Sequence, residues 1–163
     1  MIQRIQSVFL LLVAAAMIAM LFFPLWEKID FTTSEVATMN AFSLKFETFD
    51  DATGQRNVIM EKNVLYIFIG ALLAALVALY SIFQYTNRLR QIQLGALNSF
   101  LIAATMGLAL WFVFKGEALL AVAQQGNYLF GFYLPMGALV FNMLANRFIR
   151  RDEQLVRSAD RLR

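Results

Sequence analysis

Six arginines close this chain, at positions 147, 150, 151, 157, 161 and 163, with no lysine among them and three acids interspersed. A guanidinium grips phosphate or carboxylate through a planar pair of N–H donors, which an ammonium does not. Arg147, Arg150, Arg151, Arg157, Arg161 and Arg163 are therefore candidate contacts for lipid phosphate or for the carboxylates of a partner. A helix through this tail puts Leu155, Ala159 and Leu162 on one face, pairs Glu153 with Arg157, and lets Asp160 reach Arg163. Topogenic charge alone accounts for the first three arginines, and less well for the amphipathic remainder.

Other reactive chemistry is scarce. The chain has no histidine and no cysteine, which closes imidazole acid–base catalysis, thiol nucleophiles, iron–sulfur clusters, disulfides and histidine-ligated metals. Glu27, Asp30, Asp50, Asp51 and Glu117 are the carboxylates an enzyme at a membrane surface would use, but no two have a defensible catalytic spacing. No catalytic, cofactor or metal site is assigned. Polar residues within the apolar runs include Gln84, Asn98, Ser99, Thr105, Asn142 and Asn146. Gln84, Asn98, Asn142 and Asn146 fall toward one end of the spans, where an interhelical hydrogen-bond cluster would add about 0.6–2 kcal/mol per bond. A polar solute pocket is the alternative, without a charged anchor.

The elements that must hold these residues are apolar. Of 163 residues, 60% are hydrophobic and 15% charged, and mean hydropathy is +0.62; an ordinary soluble domain carries about 25% charge. Apolar runs at 5–26, 64–85, 95–114 and 128–148 each have the roughly 20 residues needed to cross a bilayer. The first is too long for a signal peptide's apolar core and is expected to stay as an anchor. The expected fold is an all-α integral membrane protein, a four-transmembrane-helix bundle forming one membrane domain over 1–163.

Nine cations flank one side of these runs and five the other, which predicts cytoplasmic N- and C-termini, a cytoplasmic tail over 149–163, and an extracytoplasmic loop over 27–63. Trp26, Tyr66, Trp111 and Tyr128 fall near the outer interface, where amphipathic rings gather. The net charge of +3 therefore reads as topology, and nucleic acid is not an expected partner. The acidic loop alternates Phe42, Leu44 and Phe46 with Ser43, Lys45 and Glu47, then carries "DDATGQ" and "RNVIM". That pattern predicts a small β-hairpin capping the bundle.

Small residues mark where helices approach closely in lipid. Gly95, Ser99, Ala103 and Gly107 recur every four residues on the third run, and Gly70, Ala74 and Ala78 on the second. They predict packing faces within the bundle, or alternatively a homo-oligomer or partner interface.

The opening "MIQRIQSVFLLL", the central "NRLRQIQLGALN" and the closing "LANRFIRRDEQLVRSADRLR" resemble, over essentially the whole chain, a Bacteroidetes family of small four-span proteins, domain of unknown function 4293. The resemblance implies the inner membrane of a Gram-negative cell, and no activity or catalytic residues. The function expected from all of this is non-enzymatic: an accessory or scaffold subunit in contact with membrane lipids and a protein partner. The alternative is a small carrier or channel for a small or lipidic solute.

Overall fold

The computed structural model describes residues 2–49, 56–85, 87–120 and 125–161. Its elements run α1 (Ile2–Ala19), β1 (Trp26–Asp30), β2 (Glu35–Met39), β3 (Ser43–Phe49), β4 (Arg56–Asn63), α2 (Leu65–Phe83), α3 (Arg88–Glu117), β5 (Asn127–Tyr128) and α4 (Phe130–Arg161).

The expectation of an all-α fold is overturned. The segment after α1 forms four strands, and the α3–α4 connection adds a fifth, giving an antiparallel sheet in the order β4-β3-β2-β1-β5. The hairpin is part of it: β3 and β4 pair from Ser43↔Asn63 to Phe49↔Arg56, with a bulge at Phe46/Glu47. The turn proposed at "DDATGQ" lies outside the described residues. Strands β1 and β2 escape a hydropathy reading because β1 alternates with inverted polarity: Trp26, Lys28 and Asp30 are its buried positions. The turn between these two strands places Ser34 at φ 54°, a left-handed conformation uncommon for residues other than glycine.

The four-span expectation is overturned as well. Among the described residues, two helices are long and apolar enough to cross a membrane: α2 and α3. The apolar stretch of α1, Ile5–Ala19, is shorter, because the chain turns at 20–23 and meets Pro24, which cannot donate a helical hydrogen bond. The fourth run begins as β5, and α4 then continues without a break into the arginine-rich tail through Pro135, so its apolar character is diluted by charge.

The α2–α3 connection is short. Asn87 caps α3 by accepting from the Arg90 amide at 3.1 Å, so most of "NRLRQIQLGALN" is helix, and α3 starts ahead of the apolar run expected from 95. The helices pack in cyclic order, α1 on α2, α2 on α3, α3 on α4 and α4 back on α1. Val13 and Met17 of α1, Ile67 and Ala74 of α2, Ile102 and Ala109 of α3, and Ala138 of α4 fill one shared core. Phe9 stacks on Phe148 at 5.6 Å across the α1–α4 seam.

The sheet lies where α1 and α3 finish and α2 and α4 begin. Leu129 N–H donates to Leu25 C=O at 2.9 Å and Gly131 N–H to Pro24 C=O at 3.2 Å, which fixes the start of α4 against the entry to β1. At the opposite, tail end, Arg88 forms an ion pair with Asp152 at 3.1 Å, joining the start of α3 to the late turns of α4.

Candidate functional site

At the tail end, α3 and α4 leave a groove of about 820 Å³ between them. Ala96 and Ser99 of α3 line one wall; Met143, Asn146, Arg147, Arg150, Arg151 and Gln154 of α4 line the other. The α4 residues recur at three- and four-residue steps and so share one face. Three of the six predicted arginines are thus brought together, with amides beside them and no acid in the lining. Arg157 and Arg161 lie on α4 with side chains outside the described residues, and Arg163 and Leu162 are outside them altogether. Leu155 stands half exposed on the surface.

Behind the groove lies a layer of amides. Asn142 Nδ2 donates to the Gly95 carbonyl at 2.8 Å and to Ser99 Oγ at 2.7 Å, and Ser99 Oγ donates to the same carbonyl at 3.1 Å. The Asn146 amide lies against Gly95 where a Cβ would have no room. Asn98 is buried with neither amide atom hydrogen-bonded, and Gln6 Nε2, Asn142 Oδ1 and Asn146 Oδ1 are also buried without partners. Gln91 Nε2 donates to the Ser81 carbonyl at 3.1 Å, tying α3 to α2. Gln84 is not part of this layer; it donates to Tyr80 Oη at 2.8 Å. Sequence reading missed Gln6, Ser81 and Gln91: Gln91 lies before the run drawn at 95, Ser81 passed as a small residue, and Gln6 stood in the first turn of its run without a visible partner.

The small-residue stripe on α3 is placed differently from the expectation. Gly95 meets Asn146 and Ser99 meets Asn142, but Ala103 is exposed and Gly107 has open space around it. The reason is helical drift: at 3.6 residues per turn, each four-residue step rotates about 40°, so twelve residues rotate the stripe about 120° off its face. The buried face of α3 runs through Gly95, Asn98, Ile102, Thr105 and Ala109. On α2, Gly70 abuts the Thr105 side chain, and Ala74 and Ala78 are buried.

At the sheet end the charged groups are occupied. Lys28 Nζ, nearly inaccessible, donates to Glu117 Oε2 at 2.8 Å, to the Glu117 carbonyl at 3.2 Å and to the Leu120 carbonyl at 3.1 Å. Glu117 Oε1 accepts from the Gly126 amide at 2.7 Å. This latch closes the end of α3 and the start of the α3–α4 connection onto β1. Beside it Trp26 is fully buried, with Gly116 and Gly126 against its ring. Its expected place at a membrane interface is thereby overturned, whereas Tyr66, Trp111 and Tyr128 are exposed.

The candidate carboxylates are dispersed. Asp30 accepts from the Thr32 hydroxyl at 2.6 Å and the Thr32 amide at 2.8 Å, and these bonds hold its carboxyl below the usual range. Glu117 is in the latch, Glu27 faces Thr38 across the β1–β2 pair, and Asp50 and Asp51 lie outside the described residues.

Residues 2–162 match the model of the family described as Domain of unknown function (DUF4293). The chain belongs to this family. The matched region takes in both terminal motifs, the α2–α3 connection, the groove and the latch. No curated protein matches the chain.

The outer edge of the sheet is the second feature able to contact another molecule. Strand β4 is an edge strand exposed at every position, and Val58, Ile59 and Met60 are among its exposed side chains.

Proposed function

We propose that this is a non-enzymatic protein of the cell inner membrane that acts as an accessory or scaffold subunit and docks a protein partner through its sheet. In this reading α2 and α3 cross the bilayer, α1 and α4 pack beside them, and the sheet lies on the extracytoplasmic side. Support for the membrane comes from the outward faces of the helices. Only 33% of each candidate span is buried inside the protein. Val8 and Leu11 of α1, Leu73 and Leu76 of α2, Phe100 and Phe114 of α3, and Val140 and Met143 of α4 all point outward. An apolar surface on every helix is far more than a soluble monomer ordinarily exposes.

The observation that carries the partner reading is β4. Native sheets protect long edge strands with charge, bulges or a cover, because an open edge pairs with other strands. Here the edge strand has eight residues, all exposed; Arg56, Glu61 and Lys62 charge its ends and the bulge falls at Ile59, but apolar Val58, Ile59 and Met60 stay uncovered in its middle. An extended segment of a partner would add to it by main-chain hydrogen bonding, with the apolar side chains giving affinity.

The test is purification of the intact protein from native membranes in nanodiscs, as wild type and as Ile59→Lys. Charge on an exposed edge leaves the fold alone and opposes strand addition. Wild type should carry a stoichiometric protein partner, and the variant should lose it at unchanged melting temperature. A wild-type protein that purifies without a partner, or a variant that keeps it, overturns the reading. Carbonate extraction tests the membrane separately: the chain should stay in the pellet.

A carrier for a small or lipidic solute is the second reading, favoured by one observation, the unpartnered amide atoms of Asn98 inside the helices. A solute of defined stoichiometry recovered with a partner-free protein would favour it.

A further inference from the structure

We infer that the groove between α3 and α4 is a binding site for one anionic phospholipid, its phosphate held by Arg147, Arg150 and Arg151. This inference rests on the membrane reading above and not on the partner reading.

Three observations lead to it. The first is that the arginines are unspent. Among the described residues the ion pairs are Lys28–Glu117, Lys45–Glu61, Arg56–Glu47 and Arg88–Asp152, and none involves the three arginines of the groove. The acids nearest to them in sequence are turned elsewhere. Asp152 is taken by Arg88, and Glu153 borders a separate cleft with Asn87, Arg88 and Leu89. Over residues 147–153, α4 therefore sorts its charges, acids toward the start of α3 and cations into the groove.

The second observation is donor chemistry. Asn146 and Gln154 stand with the arginines in a lining that contains no carboxylate. Guanidinium forks and amide N–H groups are all donors, which suits a phosphate oxygen set and excludes a cation.

The third selects a lipid over a free phosphate. Along α4 the charge of the groove rises in a gradient, from exposed Met143, level with Ser99 of α3, past Ala96 near the Asn146 turn, to Arg147, Arg150, Arg151 and Gln154. Met143 and Arg150 are seven residues apart, about 10 Å of helix. An occupant with a phosphate joined to an apolar chain fits that gradient, and a free anion uses only half of it. The arginines also lie toward the tail end, beside the first turns of α3 and not its apolar middle, at the level where headgroups meet helix termini in this reading.

The experiment uses the full chain in detergent, probed by native mass spectrometry and by titration with phosphatidylglycerol, phosphatidylcholine and glycerol 1-phosphate. One phosphatidylglycerol per chain should bind at least tenfold more tightly than phosphatidylcholine. Glycerol 1-phosphate should compete only at a hundredfold or greater excess. The variant R147K/R150K/R151K keeps the charge that sets topology, so it should insert as wild type does while losing at least fivefold in affinity with the bidentate geometry. R147Q/R150Q/R151Q should abolish the preference, and Arg90→Gln, outside the groove, should leave it intact.

Equal binding of the two lipids means only nonspecific apolar contact and overturns the inference. Competition by glycerol 1-phosphate at parity with the lipid assigns the groove to a free phosphate and overturns it in another way. Retention of full affinity by both triple variants also overturns it. A chain that leaves the membrane on carbonate extraction defeats the membrane reading first, whereas a chain that stays but shows no lipid preference defeats the lipid site alone.

Discussion

The two ends of the helical layer handle polar groups in opposite ways. At the sheet end a buried lysine has three oxygen partners, its carboxylate partner takes a fourth hydrogen bond from Gly126, and glycines close on an indole whose Nε1 is the exception, buried without a hydrogen bond. At the tail end Asn98 has no hydrogen bonds, three other buried amide atoms lack partners, and three arginines face a groove without a counter-charge. Buried polar groups that are satisfied stabilise a fold, and those left unsatisfied weaken it unless something outside the chain completes them. The sheet end is therefore a structural clamp, and the tail end is the place with capacity left for a ligand.

This contrast can be broken from either side, beginning where the effect is largest. Replacing Lys28 with methionine strands the Glu117 carboxylate and two carbonyls at the latch, and should cost about 3 kcal/mol, at the low end for a buried pair because Glu117 is partly accessible. Chemical denaturation in detergent would measure it, and adding Glu117→Leu to that variant should recover part of the loss. An unchanged midpoint for Lys28→Met would mean that the latch contributes nothing.

Gly126→Ala comes next. A Cβ there would lie 2.5 Å from the Trp26 ring, so the indole or the connection must shift, at a cost of about 1–3 kcal/mol. Loss of near-ultraviolet dichroism from the displaced indole would accompany the lower melting temperature.

At the other end the sign should reverse. Asn98→Leu removes two buried polar atoms that have no protein partner, and should stabilise by about 1 kcal/mol. Asn142→Leu removes two hydrogen bonds and should destabilise by a similar amount. If Asn98→Leu were the more damaging of the two, the tail end would be as satisfied as the sheet end, by bound water, and the contrast would dissolve.

Gly107→Ala tests the drift of the α3 stripe. With open space around it, the change should stabilise by about 0.5–1 kcal/mol through helix propensity, whereas Gly95→Ala should destabilise against Asn146.

The smallest effect is a pH dependence at Asp30. Its carboxyl is lowered in the folded chain from an ordinary value of 3.8. The unfolded chain therefore binds the proton first, so the contribution is complete above that value and is lost as pH falls through the lowered one. Asp30→Asn should flatten the acid limb of a melting-temperature profile below about pH 4.

What could be read before folding follows from local chemistry. Runs of apolar residues prescribe helices because nothing inside them interrupts the hydrogen-bond ladder; α2 keeps the limits drawn for it to within two residues, whereas α3 contains its run and extends past both ends. The β3–β4 hairpin was visible because its alternation and turn residues are contiguous. The tail's helical pattern was visible from i, i+4 spacing, and α4 does run to Arg161. Family membership too was carried by short motifs at the ends and centre of the chain.

Other features depended on elements distant in sequence. Strand β1 buries Lys28, which hydropathy places on the outside, because Glu117 and Leu120 wait for it 89 and 92 residues away. Trp26 looked like an interfacial anchor until Gly116 and Gly126 closed on it. β5 is two residues long and exists only because β1 offers it an edge. The α3 stripe was legible as spacing, but which part of it meets α4 depends on rotation about the helix axis, which a repeat of four does not fix. Sequence determined which residues could cross apolar surroundings and which cations could grip phosphate. Only the tertiary structure decided which polar groups found partners, because a hydrogen bond is satisfied by geometry between elements and not by the identity of a residue alone.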